Sequence, residues 1–543
     1  MSAVSSPAPS SGFAPLRQKV FAVLWIATII GNIGSFMRDV ASAWLVTDLS
    51  GAPAAVALVQ AAATLPIFLL AIPAGVLSDI LDRRRFLIVI QLLLGCVSLS
   101  LMALASMGQL SVPALVGLTF LGGIGAALMA PTWQAIVPEL VGKADLKSAV
   151  ALNSLGINIS RSIGPALGGL ILAAFGAGVT YGADVLSYVI VIGALFWWRR
   201  PPGADDALSE RFSGAFRAGL RYARASRELH VVLLRAAIFF ACASAVWALL
   251  PLVARNLLGG GAGFYGVLLG AVGAGAIGGA VVLPHLRGRL DADGLLLLSA
   301  VLTALVMAVL TLAPPQWLAI VVLLVLGAAW IVALTTLNGV AQAILPNWVR
   351  GRALAVYLTV FNGAMTAGSL GWGAVAEAAG IRGTLLIGAA ALLVAGLIMH
   401  RIKLPTGEAD LAPSNHWPEP LVAAEVGNDR GPVLILIEYH VPATDREAFL
   451  RAINALSVER RRDGAYGWGV TEDTADPDKL VEWFMVSSWA EHLRQHRRVS
   501  MADADLQKEV ARFHVGPERP VVRHFLHVDP PPRNADRGTR ATA

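Results

Sequence analysis

Charge is what this sequence has least of. Of its 543 residues only 14% are Asp, Glu, Lys or Arg, against 56% hydrophobic, where a soluble domain carries about a quarter charged. With a mean hydropathy of +0.66, so much apolar surface finds no soluble core able to bury it. That excludes an ordinary water-soluble protein and places the chain in a bilayer. Cysteine is nearly absent: Cys96 and Cys242 both lie inside apolar runs, so no disulfide framework and no obvious thiolate metal site are implied. No G-x-x-x-x-G-K-[ST] segment occurs, which argues against an intrinsic ATP motor. The stretch Met1 to Pro15 lacks a charged n-region and a short apolar h-region, so a cleaved signal peptide is not expected. The net charge of +6 would suit a nucleic-acid partner in a soluble protein. Here the basic residues cluster between apolar runs, so membrane orientation explains them and no nucleic acid is expected.

What is present is a series of apolar runs, each long enough to span a bilayer as a helix of about 20 residues. They lie near 20–48, 53–78, 86–107, 112–137, 148–175, 179–198, 231–257, 264–286, 294–313, 317–345, 353–377 and 382–400. The even gaps between them carry Arg83–Arg85, Lys143 and Lys147, the arginine-rich segment from Arg199 to Arg227, Arg287 and Arg289, and Arg350 and Arg352. The odd gaps hold only Arg255 and Arg382. By the positive-inside rule the even gaps and both termini are cytoplasmic, which requires an even number of spans.

The chain also repeats itself. "QAIVP" (Gln134–Pro138) recurs as "QAILP" (Gln342–Pro346), and "NISRSIGPALGGLILAAFG" (Asn158–Gly176) aligns with "NGAMTAGSLGWGAVAEAAG" (Asn362–Gly380). Two six-span parts related by an internal repeat describe a transporter, with its substrate site between them near mid-membrane. The expected organisation is a disordered N-terminus (1–19), a first six-helix half (20–198), a cytoplasmic linker (199–230), a second half (231–403), a polar linker (404–432), a soluble domain (433–530) and a disordered tail (531–543). In the central linker Phe212, Phe216 and Leu220 recur at helical spacing with Arg217, Arg221 and Arg224 largely elsewhere. That pattern predicts an amphipathic helix on the inner membrane surface. In the soluble part, strands are expected at "VLILIEYHV", "AYGWGVTE", "LVEWFMV" and "PVVRHFLHV". Thr444 with Glu447 and Ser488 with Glu491 read as the starts of two helices. The order β-α-β-β-α-β predicts a ferredoxin-like α+β domain.

The gap after the second span reads "GVLSDILDRRR". Gly75 lacks a side chain and would let a neighbouring helix approach. Asp79 can accept from an adjacent helix N-terminus or basic group. Arg83–Arg85 would anchor to headgroups. Together they read as an ion-paired latch. This segment resembles the loop-2/3 signature of the major facilitator superfamily, G-x-x-x-D-x-x-G-R-[RK]-x, with Gly75, Asp79, Arg83 and Arg84 on its key positions and Asp82 where that pattern has Gly. "SRSIGPALGG" in the fifth span resembles the antiporter signature of the same superfamily, with Gly164, Pro165, Gly168 and Gly169 matching and Ser160 replacing its first Gly. Pro165 would bend the helix and the glycines would allow close packing. "SFMRDVASAWLVTDLSGAP" and "NISRSIGPALGG" resemble the branch of enterobactin-type siderophore exporters and related drug exporters. "SSWAEHLRQHRR" resembles the soluble tail of its longer members, the transmembrane secretion effectors.

The resemblance implies an all-α membrane protein of twelve transmembrane helices in two six-helix halves, the major facilitator fold, carrying the ferredoxin-like domain. It implies a bacterial inner-membrane exporter, multi-pass with cytoplasmic termini, moving a siderophore or drug-like compound by alternating access with proton antiport. The partners are then a small-molecule substrate, protons and the lipid bilayer. Rival readings are an importer or uniporter, and a membrane-anchored enzyme or sensor.

Charges inside spans are costly and so point to function. Arg38 and Asp39 lie in the outer half of the first span, Arg161 near the middle of the fifth, and Asp184 in the outer third of the sixth. Asp39 or Asp184 reads as a proton carrier, or alternatively as one side of a static pair such as Asp39 with Arg161. Arg38 neighbours Asp39 but is expected to project from another part of the helix. Asn32, Gln60, Gln134, Asn158, Asn338, Gln342 and Asn362 either line a cavity or bond helix to helix. Trp44, Trp133, Trp247 and Trp330 either stack on an aromatic substrate or, more in keeping with the residue type, serve packing and interfacial roles. His492 and His496 stand at i, i+4, a metal-binding spacing. No acidic or Cys third ligand is evident, so no metal and no cofactor are expected. The soluble tail also resembles small cofactor-independent monooxygenases of the dimeric α/β-barrel type, and is read as a regulatory or self-associating domain.

Overall fold

The computed structural model describes residues 13–142, 145–199, 212–346, 349–406, 422, 426–516 and 518–528. The side chains of Val76, Asp79, Ile80, Lys147, 212–218, Arg497 and Ala502 lie outside that description, as do Lys143 and Arg200 entirely. The sequence expectations for Asp79, Lys147, Phe212, Phe216, Arg217, most of the 404–432 linker and the 531–543 tail therefore fall outside the described residues. The chain divides into two compact units, one holding 1–212, 228–343 and 354–406, the other 213–227, 344–353 and 407–543.

The first unit is helical. In chain order its elements are α1 (Lys19–Leu49), α2 (Pro53–Ile80), α3 (Arg83–Ser106), α4 (Val112–Leu140) and α5 (Leu146–Trp197). After α6 (Phe212–Ala225) come α7 (Arg227–Leu252), running into a π turn at Val253–Leu257, then α8 (Ala262–Arg287), α9 (Ala292–Thr311), α10 (Gln316–Ala343) and α11 (Arg350–His400). Ten of these are long and apolar enough to cross a membrane. α5 and α11 run to 52 and 51 residues, more than twice the length a span needs. Each is broken by one glycine, Gly176 (φ 81°, ψ 177°) and Gly380 (φ 71°, ψ 170°), in backbone territory that only glycine enters freely. Four residues past each break a threonine hydroxyl turns back onto the glycine carbonyl: Thr180 to Gly176 at 3.0 Å and Thr384 to Gly380 at 2.8 Å. The two breaks are the last residues of the two aligned repeat segments.

The glycines of the fifth-span motif are packing contacts. A Cβ on Gly164 would stand 2.7 Å from Phe36 Cβ, and one on Gly168 2.7 Å from the Met37 Cα, both on α1. One on Gly169 would stand 2.6 Å from the Gly266 Cα on α8. Pro165 is buried between them. Gly75 differs from expectation: nothing lies within 4 Å of where its Cβ would be, so no neighbouring helix makes a close approach at this glycine in this conformation.

The second unit holds the strands β1 (Val433–His440), β2 (Gly467–Glu472), β3 (Lys479–Val486) and β4 (Val521–Leu526), with α12 (Arg446–Asp463), α13 (Trp489–Arg498) and α14 (Met501–Ala511). The sheet is antiparallel in the order β2-β3-β1-β4. Alternation along β1 buries Val433, Ile435, Ile437 and Tyr439, and these pack with Phe449, Ile453 and Leu456 of α12. Two details depart from the sequence reading. α12 starts one residue later than a Thr444 cap requires: Asp445 is its N-cap, without a capping side-chain bond. One helix was expected between β3 and β4, and two form, because Ser500 caps a second helix in a reciprocal box with Asp503. α6 belongs to this unit. In its described end Tyr222 is buried, its hydroxyl donates to the Ile344 carbonyl at 3.4 Å, and Arg462 stands over its ring at 5.6 Å.

Candidate transport site

The charges inside α1 and α5 meet. The Arg38 guanidinium, 8% exposed, donates through Nη1 to the Tyr188 hydroxyl at 2.8 Å and lies 3.5 Å from Asp184 Oδ2. Its Nη2 donates to Asp39 Oδ1 at 3.1 Å. Asp184 is fully buried and accepts from Ser98 of α3 at 2.6 Å. Ser187 donates to the Asp184 backbone carbonyl at 2.7 Å, and Ser35 shares a bond with Tyr188 at 3.0 Å. Room for the Asp184 carboxylate comes from Gly34, where a Cβ would stand 2.7 Å from Oδ1. A lone buried charge is unaffordable in an apolar interior, and this network of hydroxyls and opposite charges is what makes it tolerable.

Two expectations are corrected here. Arg38 does not project away from Asp39; its long side chain curls back to its neighbour's carboxylate. The pair Asp39 with Arg161 does not form. Asp39 bonds Arg38 while 57% exposed, and Arg161 is half-buried on α5 with no ion-pair partner among the described residues. Sequence reading found the charges but missed Tyr188, Ser98 and Gly34, which carry no signal of their own in an apolar run.

The segment after α2 is also rearranged relative to expectation. Arg83 does not reach for headgroups. It donates to the Ser78 carbonyl at 3.2 Å, to the Ala135 carbonyl at 3.0 Å and to Glu139 at 2.7 Å, the last two on α4. Arg84 donates to the carbonyls of Leu195 and Phe196 at 2.8 and 3.0 Å. There it satisfies orphan acceptors at the end of α5 and sits where a cation favours the helix dipole. Asp82, the departure from the signature, is the N-cap of α3 and accepts the Arg85 amide at 2.8 Å.

The single polar residues are scattered. Gln134 and Gln342 are exposed, and Gln342 donates to Asn338 at 3.2 Å. Asn158 and Asn362 turn back to carbonyls of their own helices, Ser154 and Leu358, each at 2.9 Å. Asn32 and Gln60 are half-buried. Trp133 is buried and donates to Asn153 at 2.7 Å, Trp247 packs on Trp330 with centroids 5.0 Å apart, and Trp44 faces Tyr265 at 5.9 Å.

Helices before and after α6 touch at several points. Thr64 on α2 and Thr366 on α11 share a hydroxyl bond of 2.7 Å. Arg255 donates to Asp48 at 2.6 Å and to Thr47 at 3.1 Å, and α5 meets α8 backbone to backbone at Gly169 and Gly266. The sequence analysis also overlooked a buried pair of Arg235 on α7 with Asp293 on α9. Arg235 donates further to the Ile402 carbonyl at 2.9 Å, and the Leu404 amide donates to Asp293 at 3.2 Å. This pair ties the chain leaving α11 to two helices.

In the second unit, Arg221 of α6 donates to Glu491 at the start of α13 at 2.9 Å. Burial opposes the Glu491 charge, but Arg498, Arg221 and Arg494 outweigh it and hold the carboxyl below its ordinary value.

The family model described as transmembrane secretion effector matches residues 10–532. Over 422 residues the chain is 26% identical to the multidrug efflux pump Tap of Mycolicibacterium fortuitum, covering 72% of this chain and 97% of that protein. It is 30% identical to the staphyloferrin A transporter of Staphylococcus aureus over 161 residues, which span 30% of this chain and 41% of that one. Among solved structures it resembles a bacterial homolog of the human lysosomal transporter Spinster, inward-facing and unoccupied, with a TM-score of 0.58 and 15% identity over 71% of this chain and 97% of that one. It also resembles a D-xylose–proton symporter, with a TM-score of 0.56 and 18% identity over 71% and 98%. At these identities the two structures show a shared fold.

Proposed function

The chain belongs to the transmembrane secretion effector family of the major facilitator superfamily, and on that premise we propose that it exports small amphiphilic molecules, siderophore or drug-like, across a bacterial inner membrane by alternating access and proton antiport. The observation that carries this reading is the Arg38, Asp39 and Asp184 cluster. One guanidinium lies between a buried and a half-exposed carboxylate. Asp39 is the carboxylate a proton reaches from solvent. Once it is neutral, Arg38 is held by Asp184 and Tyr188 alone, and the helices carrying them draw together. Substrate arrival and proton departure then act on the same guanidinium.

The breaks at Gly176 and Gly380 support twelve spans in two six-span halves. With the arginine-rich gaps inside, the Thr64–Thr366, Arg255–Asp48 and Gly169–Gly266 contacts fall toward the outer side, and this conformation reads as inward-open. Arg83 on α4 and Arg84 on the end of α5, with Gly75 and Asp79, form the latch that the opposite conformation remakes. Arg161, Asn32, Gln134, Asn158, Gln342 and Asn362 are the cavity-lining candidates. The sheet order supports a ferredoxin-like reading of 433–530. Its second face, with Leu434, Leu436, Trp483, Met485 and Phe525 at paired positions, is the surface for self-association.

The test is uptake into inverted membrane vesicles, driven by an imposed proton gradient, across a panel of siderophores and dyes. Uptake that collapses with an uncoupler and in Asp39→Asn supports proton-coupled export. Uptake surviving both removes the coupling. Truncation after Lys403 that keeps transport excludes an enzyme or sensor housed in the tail.

A further inference from the structure

His492 and His496 face each other on α13, and the folded sheet adds a third imidazole that the sequence pattern did not show. His524 lies on β4 directly opposite Ile435 of β1, so it shares the helix-covered face of the sheet with that buried residue. One ligand nitrogen from each of the three histidines falls within 4.8 Å of the others. The His492 and His524 ring centroids are 4.6 Å apart, as are those of His492 and His496.

We infer that His492, His496 and His524 form a tri-histidine site for a divalent transition-metal cation of the zinc, cobalt or nickel type. Two observations carry this. The first is distance. His492 Nε2 and His496 Nε2 are 3.2 Å apart. A tetrahedral cation with metal–nitrogen bonds of about 2.0–2.1 Å sets its nitrogen ligands about 3.3 Å apart. The second is an unmet hydrogen-bonding need. His492 is 1% exposed, and among the described residues its Nδ1 is buried without a hydrogen bond of good geometry; Gln495, also 1% exposed and close to this ring, has both amide atoms in the same condition. A hydrogen bond between the two rings that uses His492 Nε2–H leaves Nδ1 a bare acceptor in an apolar setting, which costs free energy. Binding metal through Nε2 places the proton on Nδ1, where the Gln495 carbonyl oxygen, beside this ring, accepts it. This is the supporting bond that orients a histidine ligand.

Trp489, with centroids 5.5 Å from His492 and 6.1 Å from His524, walls one side. His496 and His524 are only half-buried, so a fourth position is reachable by water. Three imidazole nitrogen donors and one open position suit borderline divalent cations and discriminate against magnesium and calcium. The inference does not depend on the transport reading.

The experiment uses the full chain without a polyhistidine tag, purified in detergent and stripped with chelator. Zinc is titrated by calorimetry and cobalt by visible absorption. One equivalent should bind, with the absorption of tetrahedral cobalt. His496→Gln and His524→Gln should each weaken binding by more than the roughly 10- to 100-fold that losing a ligand's supporting partner costs, while the exposed His527→Gln leaves it unchanged. Amide hydrogen exchange over α12 reports whether each variant keeps the fold. Absence of stoichiometric binding in the parent chain, or equal binding in both folded variants, overturns the site and leaves the three rings as packing.

Discussion

Asp39 and Asp184 hold one guanidinium between them, and their surroundings are opposite. Asp184 has no solvent and is bonded by Arg38, Ser98 and Ser187; Asp39 keeps 57% of its side chain exposed. Removing the Asp184 charge leaves the buried Arg38 balanced only by the half-exposed Asp39 and leaves Ser98 facing a neutral amide, so Asp184→Asn should lower thermal stability in detergent as well as flux. Asp39→Asn should leave stability within about 1 kcal/mol and still abolish gradient-driven flux. Equal melting temperatures for the two variants would remove this division of labour. The arginine and both aspartates were legible as charges in apolar runs, but their pairing was not. Arg38 and Asp184 are 146 positions apart, and helical periodicity carries no information across that distance. His524 was hidden for the same reason: an i, i+4 pair is visible on one helix, whereas a strand partner depends on sheet register.

Breaks and caps determine what each element tolerates. At Gly176 the space for a Cβ is open and only the dihedral angles object, so Gly176→Ala should cost about 1–3 kcal/mol, read as thermal unfolding in detergent. Gly75→Ala has equal space and ordinary helical geometry, and should be neutral or stabilising by up to about 1 kcal/mol. If Gly75→Ala also slows transport, the close helix approach expected from the motif belongs to the other conformation; wild-type flux would mean it is never made. In α12, burial raises Glu459 to about 8 against the pull of Arg462, with Asp503 and Asp463 adding to the rise. Burial likewise raises Asp463 to about 6. Between the ordinary value of 4.5 and 8 the folded state holds a proton on Glu459 that the unfolded chain releases. Stability of the second unit therefore falls as pH rises through that window. Hydrogen-exchange protection factors over α12, which divide out the intrinsic base-catalysed rate, should fall from pH 6 to pH 8, and Glu459→Gln should flatten that fall. Strand positions were legible from alternation and boundary residues. The second helix before β4 was not, because its start rests on a Ser–Asp box inside a stretch that reads as one polar run.

At the scale of the molecule, the expectation of two related parts rests on the repeat, and its aligned copies end on the two glycines where the long helices break. Alternation of basic and bare gaps sets an expected orientation, while contacts between the two sets of helices had no sequence signal. Those contacts can be trapped. Thr64→Cys with Thr366→Cys replaces hydroxyls 2.7 Å apart, and the double variant should cross-link on mild oxidation, lose transport, and regain it with reductant. A fully cross-linked protein that still transports would show that α2 and α11 need not separate there. The meeting of Gly169 with Gly266 has a consequence of another kind. Where a large residue damages a contact, a genetic screen usually recovers function by shrinking the residue opposite. Here the residue opposite is already glycine, on both sides, so that route of repair is closed. A methyl group at either position can be compensated only by moving a whole helix, and revertants should be sought along the flanks of α5 and α8 rather than at the contact itself.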